Sequence, residues 1–137
     1  MSRILSIDYG LKRTGIAVTD PLKIIATGLT TVESKQLVPF LKNYLVTEAV
    51  ELIIIGEPKN LDDSATHATP LVAQCVKDLE KHFPQIPVRK VDERYTSRLA
   101  VQSMVQSGMK KKDRRNKALV DEISATIMLQ EYLHHNS

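Results

Sequence analysis

The sequence predicts an α/β fold: a five-stranded mixed sheet with helices on both faces, in the order β-β-β-α-β-α-β-α-α. Three observations carry that expectation. The first thirty residues are short β-rich runs broken by turn residues, too closely spaced to admit crossovers. A continuously apolar run, Leu52–Gly56, then suits a strand covered on both faces. Around it, apolar residues recur at helical spacing in three or four segments.

Taken in order, Ile4–Asp8 is the first strand, ending at Tyr9-Gly10, where glycine permits a tight turn. Gly15–Thr19 follows and stops at Asp20-Pro21, and Ile24–Thr30 runs extended, completing an antiparallel meander. From Ser34 to Glu48, Leu37, Val38, Leu41, Tyr44 and Leu45 mark a helix with Pro39 in or near its first turn. After the buried strand, Thr66–Phe83 reads as a helix with Leu71, Val72, Cys75, Val76 and Leu79 on one side. Pro84 and Pro87 bracket the turn into a short strand, Val88–Asp92. Thr96–Ser107 and Ala118–Leu133 are the last two predicted helices, with a basic segment, Lys110–Lys117, between them.

At 137 residues the chain fits one domain with its own core. Its longest uninterrupted apolar run, Leu52–Ile55, is far too short to span a membrane, and the N-terminus reaches a charge too soon for a signal peptide. The single cysteine, Cys75, rules out an internal disulfide framework and suits a reducing compartment, so a cytoplasmic location is expected. It sits on the apolar side of its helix and reads as core. The four histidines show no zinc-binding spacing.

The net charge is only +3, but it is unevenly spread. Arg89 to Lys117 holds ten Lys/Arg against three Asp/Glu, a net +7, and the rest of the chain nine against thirteen, a net −4. Such a segment can attract a phosphate backbone; charge alone is equally compatible with a solvated surface.

In sheets of this kind, chemistry gathers at the carboxyl ends of the parallel strands. Asp8, Glu57 and the Asp92-Glu93 pair fall at such ends, and Asp121-Glu122 lies in the first turns of the last helix. Ser124 and Ala125 share the face of Asp121; being small, they let that helix approach the sheet. A lone Asp at a strand end is more commonly a turn or capping residue. Several carboxylates at one edge, however, repel one another unless a cation neutralises them, and an all-oxygen set favours Mg2+ or Mn2+. Two such ions ~3.5–4 Å apart can clamp the attacking water and the leaving oxygen of a phosphodiester. The start of the helix after Glu93, with Thr96 or Ser97 as its cap beside Arg94, is either a phosphate seat or a simple cap.

Three segments in order, Ile7–Asp20 (IDYGLKRTGIAVTD), Val91–Ser97 (VDERYTS) and Val120–Leu133 (VDEISATIMLQEYL), resemble the YqgF/RuvX family. The resemblance covers essentially the whole chain. It implies a ribonuclease-H-like fold and the activities given to that family: Holliday junction resolution and maturation of the small-subunit ribosomal RNA precursor. Position by position, it implies Asp8, Glu93 and Asp121 as catalytic metal ligands. The family's turn after the fourth strand usually reads Gly-Leu-Pro, with Asn two positions further and then Asp-Gly. Here Glu57 replaces the Leu and Asp63 the Gly. Glu57 is then either an extra ligand or, the reading preferred, a solvated loop residue set by Pro58.

The expected function is therefore metal-dependent endonucleolytic cleavage, of the 5′ end of precursor 16S ribosomal RNA or of a branched DNA. Lys12, Arg94, Thr96, Ser97, Lys110, Lys111, Arg114 and Arg115 are the expected substrate contacts. The expected partner is structured RNA or branched DNA, with no membrane, and the chain acting as monomer or homodimer. Two rivals stand beside this. A non-catalytic nucleic-acid-binding module of the same fold has no need of acids facing a phosphate backbone. A half-domain of an ATPase or sugar kinase needs a second such domain, for which this chain has no room.

Overall fold

A computed structural model of the chain describes residues 2–57, 69–92 and 117–135. Its strands are β1 (Arg3–Tyr9), β2 (Arg13–Thr19), β3 (Ala26–Glu33), β4 (Val50–Glu57) and β5 (Val88–Asp92). Its helices are α1 (Leu37–Thr47), α2 (Thr69–His82) and α3 (Lys117–His135). The strands form one sheet in the order β3-β2-β1-β4-β5. β1, β2 and β3 pair antiparallel, whereas β1–β4 and β4–β5 are parallel. This is the mixed sheet that the sequence predicts. The helix expected at Thr96–Ser107 and the start of the one expected at Thr66 lie outside the described residues.

Strand alternation divides the core in two. Leu5 and Ile7 of β1, Ile16 and Val18 of β2, and Ile53 and Ile55 of β4 pack with Leu37, Leu41, Val72, Cys75, Leu79 and Phe83 under α1 and α2. Ile4, Ala17 and Ile54 point the other way, onto Ala125, Met128 and Leu129 of α3. One face is thus filled by large aliphatic side chains. The other sets the small Ala17, Ala26 and Ala125 among Ile4, Ile54, Met128 and Leu129, and its helix lies mainly over β1, β2 and β3.

The third strand corrects the sequence reading. Ile24 and Ile25 do not belong to it; they are exposed in the turn that joins β2 to β3. The Asp20 carboxylate accepts hydrogen bonds from the amides of Leu22, Ile24 and Ile25, so these donors serve the turn rather than a ladder. Lys23 takes a left-handed conformation there, with φ 60°. The first helix begins at Leu37, the first residue of its apolar pattern, with Pro39 in its first turn, and Ser34–Gln36 form a separate 3-10 turn before it. Among the described residues, no helix is long and apolar enough to cross a membrane.

Candidate active site

Asp8 is the sixth of seven residues in β1, and alternation puts it on the α3 face with Ile4 and Ser6. Ser6 is fully buried, and its hydroxyl donates to the carbonyl of Ala125 at 2.9 Å. That bond sets the register of strand against helix. From Ser6 to Asp8 the strand advances ~6.6 Å. From Ala125 back to Asp121 the helix covers ~6 Å. Two steps along the strand therefore match one turn of the helix, and Asp8 and Asp121 come to the same level.

A second contact locates the helix laterally. Gly15 is the cross-strand partner of Asp8 in β2. A methyl group at Gly15 would stand 2.1 Å from the carbonyl oxygen of Asp121 and 2.8 Å from the amide nitrogen of Glu122. The backbone of α3 rests on the strand where a side chain would normally be. Gly28 in β3 plays a lesser part, facing the side chain of Glu122. Since cross-strand partners lie ~4.5–5.5 Å apart, Asp121 is seated beside the immediate neighbour of Asp8. Ser124 and Ala125, one turn along, are both fully buried, as expected of the residues that permit the approach. Among the described residues, the buried hydroxyl of Ser124 has no hydrogen-bond partner.

Both acids are half-buried. Asp121 accepts from the guanidinium of Arg13, with Nε at 3.2 Å from Oδ2. Arg13 opens β2, and the turn before it is held from several sides. The Gly10 amide bonds the Arg13 carbonyl at 3.0 Å, and the Ser34 amide bonds the Lys12 carbonyl at 2.9 Å. The Ser34 hydroxyl donates to the Gly10 carbonyl and also lies 2.8 Å from the hydroxyl of the fully buried Thr14. Lys12 is exposed on this turn. With Leu11, Arg13, Glu33 and Lys35 it lines an open cleft of about 430 Å3.

Of the three carboxylates singled out from sequence, Asp8 pairs across the sheet with Gly15, against which the backbone of Asp121 rests, and Glu93 lies outside the described residues. So do Arg94, Thr96, Ser97, Lys110, Lys111, Arg114 and Arg115, and the side chain of Glu57. Among the described residues, no three His, Cys, Asp or Glu are grouped to hold a metal ion. The described pair nevertheless suits a hard divalent cation. Its donors are carboxylate oxygens, one of them already holds a cation in the form of Arg13, and Gly15 leaves the space that closes the pair. Sequence reasoning missed Ser6, Arg13, Gly15 and Ser34. The parity of positions 4, 6 and 8 and of 13, 15 and 17 carried a signal for the first three.

A model of the RuvX family, described as Holliday junction resolvase, matches residues 2–135. The chain belongs to the RuvX family. It is 54% identical over 134 residues to a protein of Christiangramia forsetii, covering 98% of this chain and 99% of that one. It is 58% identical over 133 residues to one of Phocaeicola vulgatus, covering 97% and 96%. Each bears the name "putative pre-16S rRNA nuclease". Among solved structures, the fowlpox virus resolvase in complex with Holliday junction DNA aligns with a TM-score of 0.58 at 13% identity, covering 97% of each chain. Thermus thermophilus RuvC with a Holliday junction substrate aligns at 0.56 and 14% identity, covering 98% of this chain and 95% of that one. These RuvX-to-resolvase likenesses show a shared ribonuclease-H-like fold.

Proposed function

We propose that this RuvX protein is a single-domain, cytoplasmic, Mg2+- or Mn2+-dependent endonuclease that trims the 5′ end of precursor 16S ribosomal RNA. The observation that carries the reading is the alignment of Asp8 with Asp121, fixed by the Ser6–Ala125 hydrogen bond and the absence of a side chain at Gly15. Two acids held half-buried on a rigid strand and a rigid helix suit a cation better than a turn or a cap. The names of the relatives, more than half identical over nearly the whole chain, supply the substrate class.

Asp8 and Asp121 would hold the metal with Glu93 as the third carboxylate. The bound metal supplies an activated water and stabilises charge on the leaving oxygen. The chain's own residues bind and orient the substrate. Lys12 stands on the fixed turn beside Asp121 and pairs with the phosphate backbone. Arg94, Thr96 and Ser97 take a second phosphate, and Lys110, Lys111, Arg114 and Arg115 follow the strand beyond it. One copy suffices to cut an RNA end.

A second reading, cleavage of a four-way DNA junction, is favoured by the description of the family model and calls for a two-fold dimer. Both readings are tested by comparing wild type with Asp8→Asn on a labelled RNA carrying the 5′ precursor extension and on a labelled four-way junction, each with and without Mn2+. Mn2+-dependent cutting of the RNA, lost in Asp8→Asn, is expected. Cutting of the junction alone would transfer the reading to DNA. Equal cutting by both proteins would overturn the active site, and metal-independent binding without cutting would leave a nucleic-acid-binding module.

A further inference from the structure

Arg13 holds the carboxylate of Asp121, one of the two proposed metal ligands. Its Nε bonds the Asp121 carboxylate at 3.2 Å, with the two side chains 39% and 27% exposed. Pairs exposed to this degree are weak, on the order of 0–1 kcal/mol. A divalent ion shared by two or more carboxylates is a far stronger partner for Asp121, and its charge repels a guanidinium close by. The two cations therefore compete for one carboxylate.

The backbone of Arg13 cannot follow its side chain away. Its carbonyl is held by the Gly10 amide, and the turn before it is held by Ser34. Only the side chain is at liberty, and beside it is the cleft lined by Lys12, Lys35, Leu11 and Glu33. Glu33 is the cross-strand partner of Arg13, and its carboxylate lies 3.4 Å from the Lys35 ammonium. Among the described residues, the bond to Asp121 uses Nε, so the planar fork of the guanidinium keeps donors for a second partner. That fork matches the paired oxygens of a phosphate, and two lysines share the cleft.

We propose that Arg13 is a built-in stand-in for the divalent cation: it neutralises Asp121 until metal binds, is displaced, and then grips a phosphate of the nucleic-acid backbone in the Lys12–Lys35 cleft. The inference rests on the metal reading of Asp8 and Asp121. It makes metal and nucleic acid cooperate, because the metal releases a phosphate ligand. It also makes Arg13 oppose one ligand and favour the other, which a merely structural arginine does not do.

The test is direct Mn2+ binding, followed by electron paramagnetic resonance in the absence of nucleic acid, to wild type and Arg13→Gln. The variant is expected to bind Mn2+ about two- to five-fold more tightly, the scale of a partly exposed ion pair removed from competition. Its affinity for a labelled single-stranded RNA, read by rapid-mixing anisotropy before cleavage, is expected to fall in Mg2+ but not without it. The slope of log affinity against log salt in Mg2+ should decrease by about 0.7–0.9, one phosphate contact. Equal or weaker Mn2+ binding by Arg13→Gln overturns the inference and leaves the metal site standing. No Mn2+ uptake by wild type overturns both. Should the variant fail to fold, the Nε–H resonance of Arg13 in wild type provides the same decision. It should lose its hydrogen-bonded shift as Mg2+ saturates, and an unmoved resonance overturns the inference.

Discussion

Replacing Gly15 with alanine tests the geometry on which the active site depends. The added methyl would lie 2.1 Å from the Asp121 carbonyl oxygen and 2.3 Å from its carbonyl carbon. Ordinary contact begins near 3.4 Å, so strand and helix must separate locally by 1.3 Å. The clashing atoms are backbone, which cannot swing aside as a side chain can. Overpacking of this kind costs about 1–3 kcal/mol, a fall of roughly 3–12 °C in melting temperature for a chain this size. The same retreat draws Asp121 away from Asp8, and a misplacement of about 1 Å in a reacting group can cost on the order of 100-fold in rate. Gly28→Ala is the matched control. Its methyl meets the Glu122 side chain, at 2.5 Å from Oε1 and 2.9 Å from Cγ, which can rotate away. Calorimetry and cleavage of labelled precursor RNA in Mn2+ should show a large loss of both stability and rate for Gly15→Ala and small losses for Gly28→Ala. A Gly15→Ala protein that melts and cuts like wild type would refute the proposed seat of Asp121.

Two further predictions concern the rim and the core. Ser34→Ala removes the hydroxyl that holds the Gly10 carbonyl and leaves the buried Thr14 hydroxyl without that partner; it should cost about 1–3 kcal/mol and speed amide exchange over residues 10–14, and unchanged exchange there would show that the turn is held by other means. In the core, burial pushes the Cys75 thiol from its ordinary 9.0 up to about 12, with Asp78 a lesser cause, and burial also raises the Tyr9 phenol. Both stay protonated when folded at a pH where the unfolded chain ionises: the Cys75 contribution is fully present below pH 9.0 and is lost as the pH rises toward 12, and that of Tyr9 is lost above its ordinary 10.0. Urea unfolding across that window should show falling stability, with a shallower slope for Cys75→Ala, and identical slopes would remove Cys75 as a cause.

Much of this fold is legible because its signals are local and agree. Val88–Asp92 is read as a short strand that follows two prolines, and the structure gives it the same bounds. β4 is read from continuous apolar character, which follows from having α1 and α2 against one face and α3 on the other. The error at Ile24 and Ile25 is equally physical. Two adjacent β-branched residues favour a strand, but the Asp20 carboxylate captures their amides, and a side chain serving three backbone donors is not a periodic signal. Asp8 and Asp121 could be singled out as acids at element ends. What joins them could not, because Ser6 and Ala125 are 119 residues apart and their bond exists only once the sheet has formed.

The same contrast explains why the two faces of the sheet are built differently. Under α1 and α2, leucine, isoleucine and phenylalanine fill the gap and hold the helices off by the length of their side chains. Under α3 the strands offer Ser6, Gly15, Ala17 and Gly28, which forgo apolar burial worth ~0.8 kcal/mol per methylene. The return is proximity, and aspartate needs it. Its carboxylate lies only one carbon beyond Cβ, so two aspartates can share an ion only if their backbones come close. The missing side chain at position 15 and the short one at position 121 are thus a matched pair. Lengthening Asp121 to glutamate in the Gly15→Ala protein should then restore part of the lost metal affinity, whereas the same change alone should weaken it. Additive losses in the double variant would mean that Gly15 acts on stability and not on the spacing of the two acids.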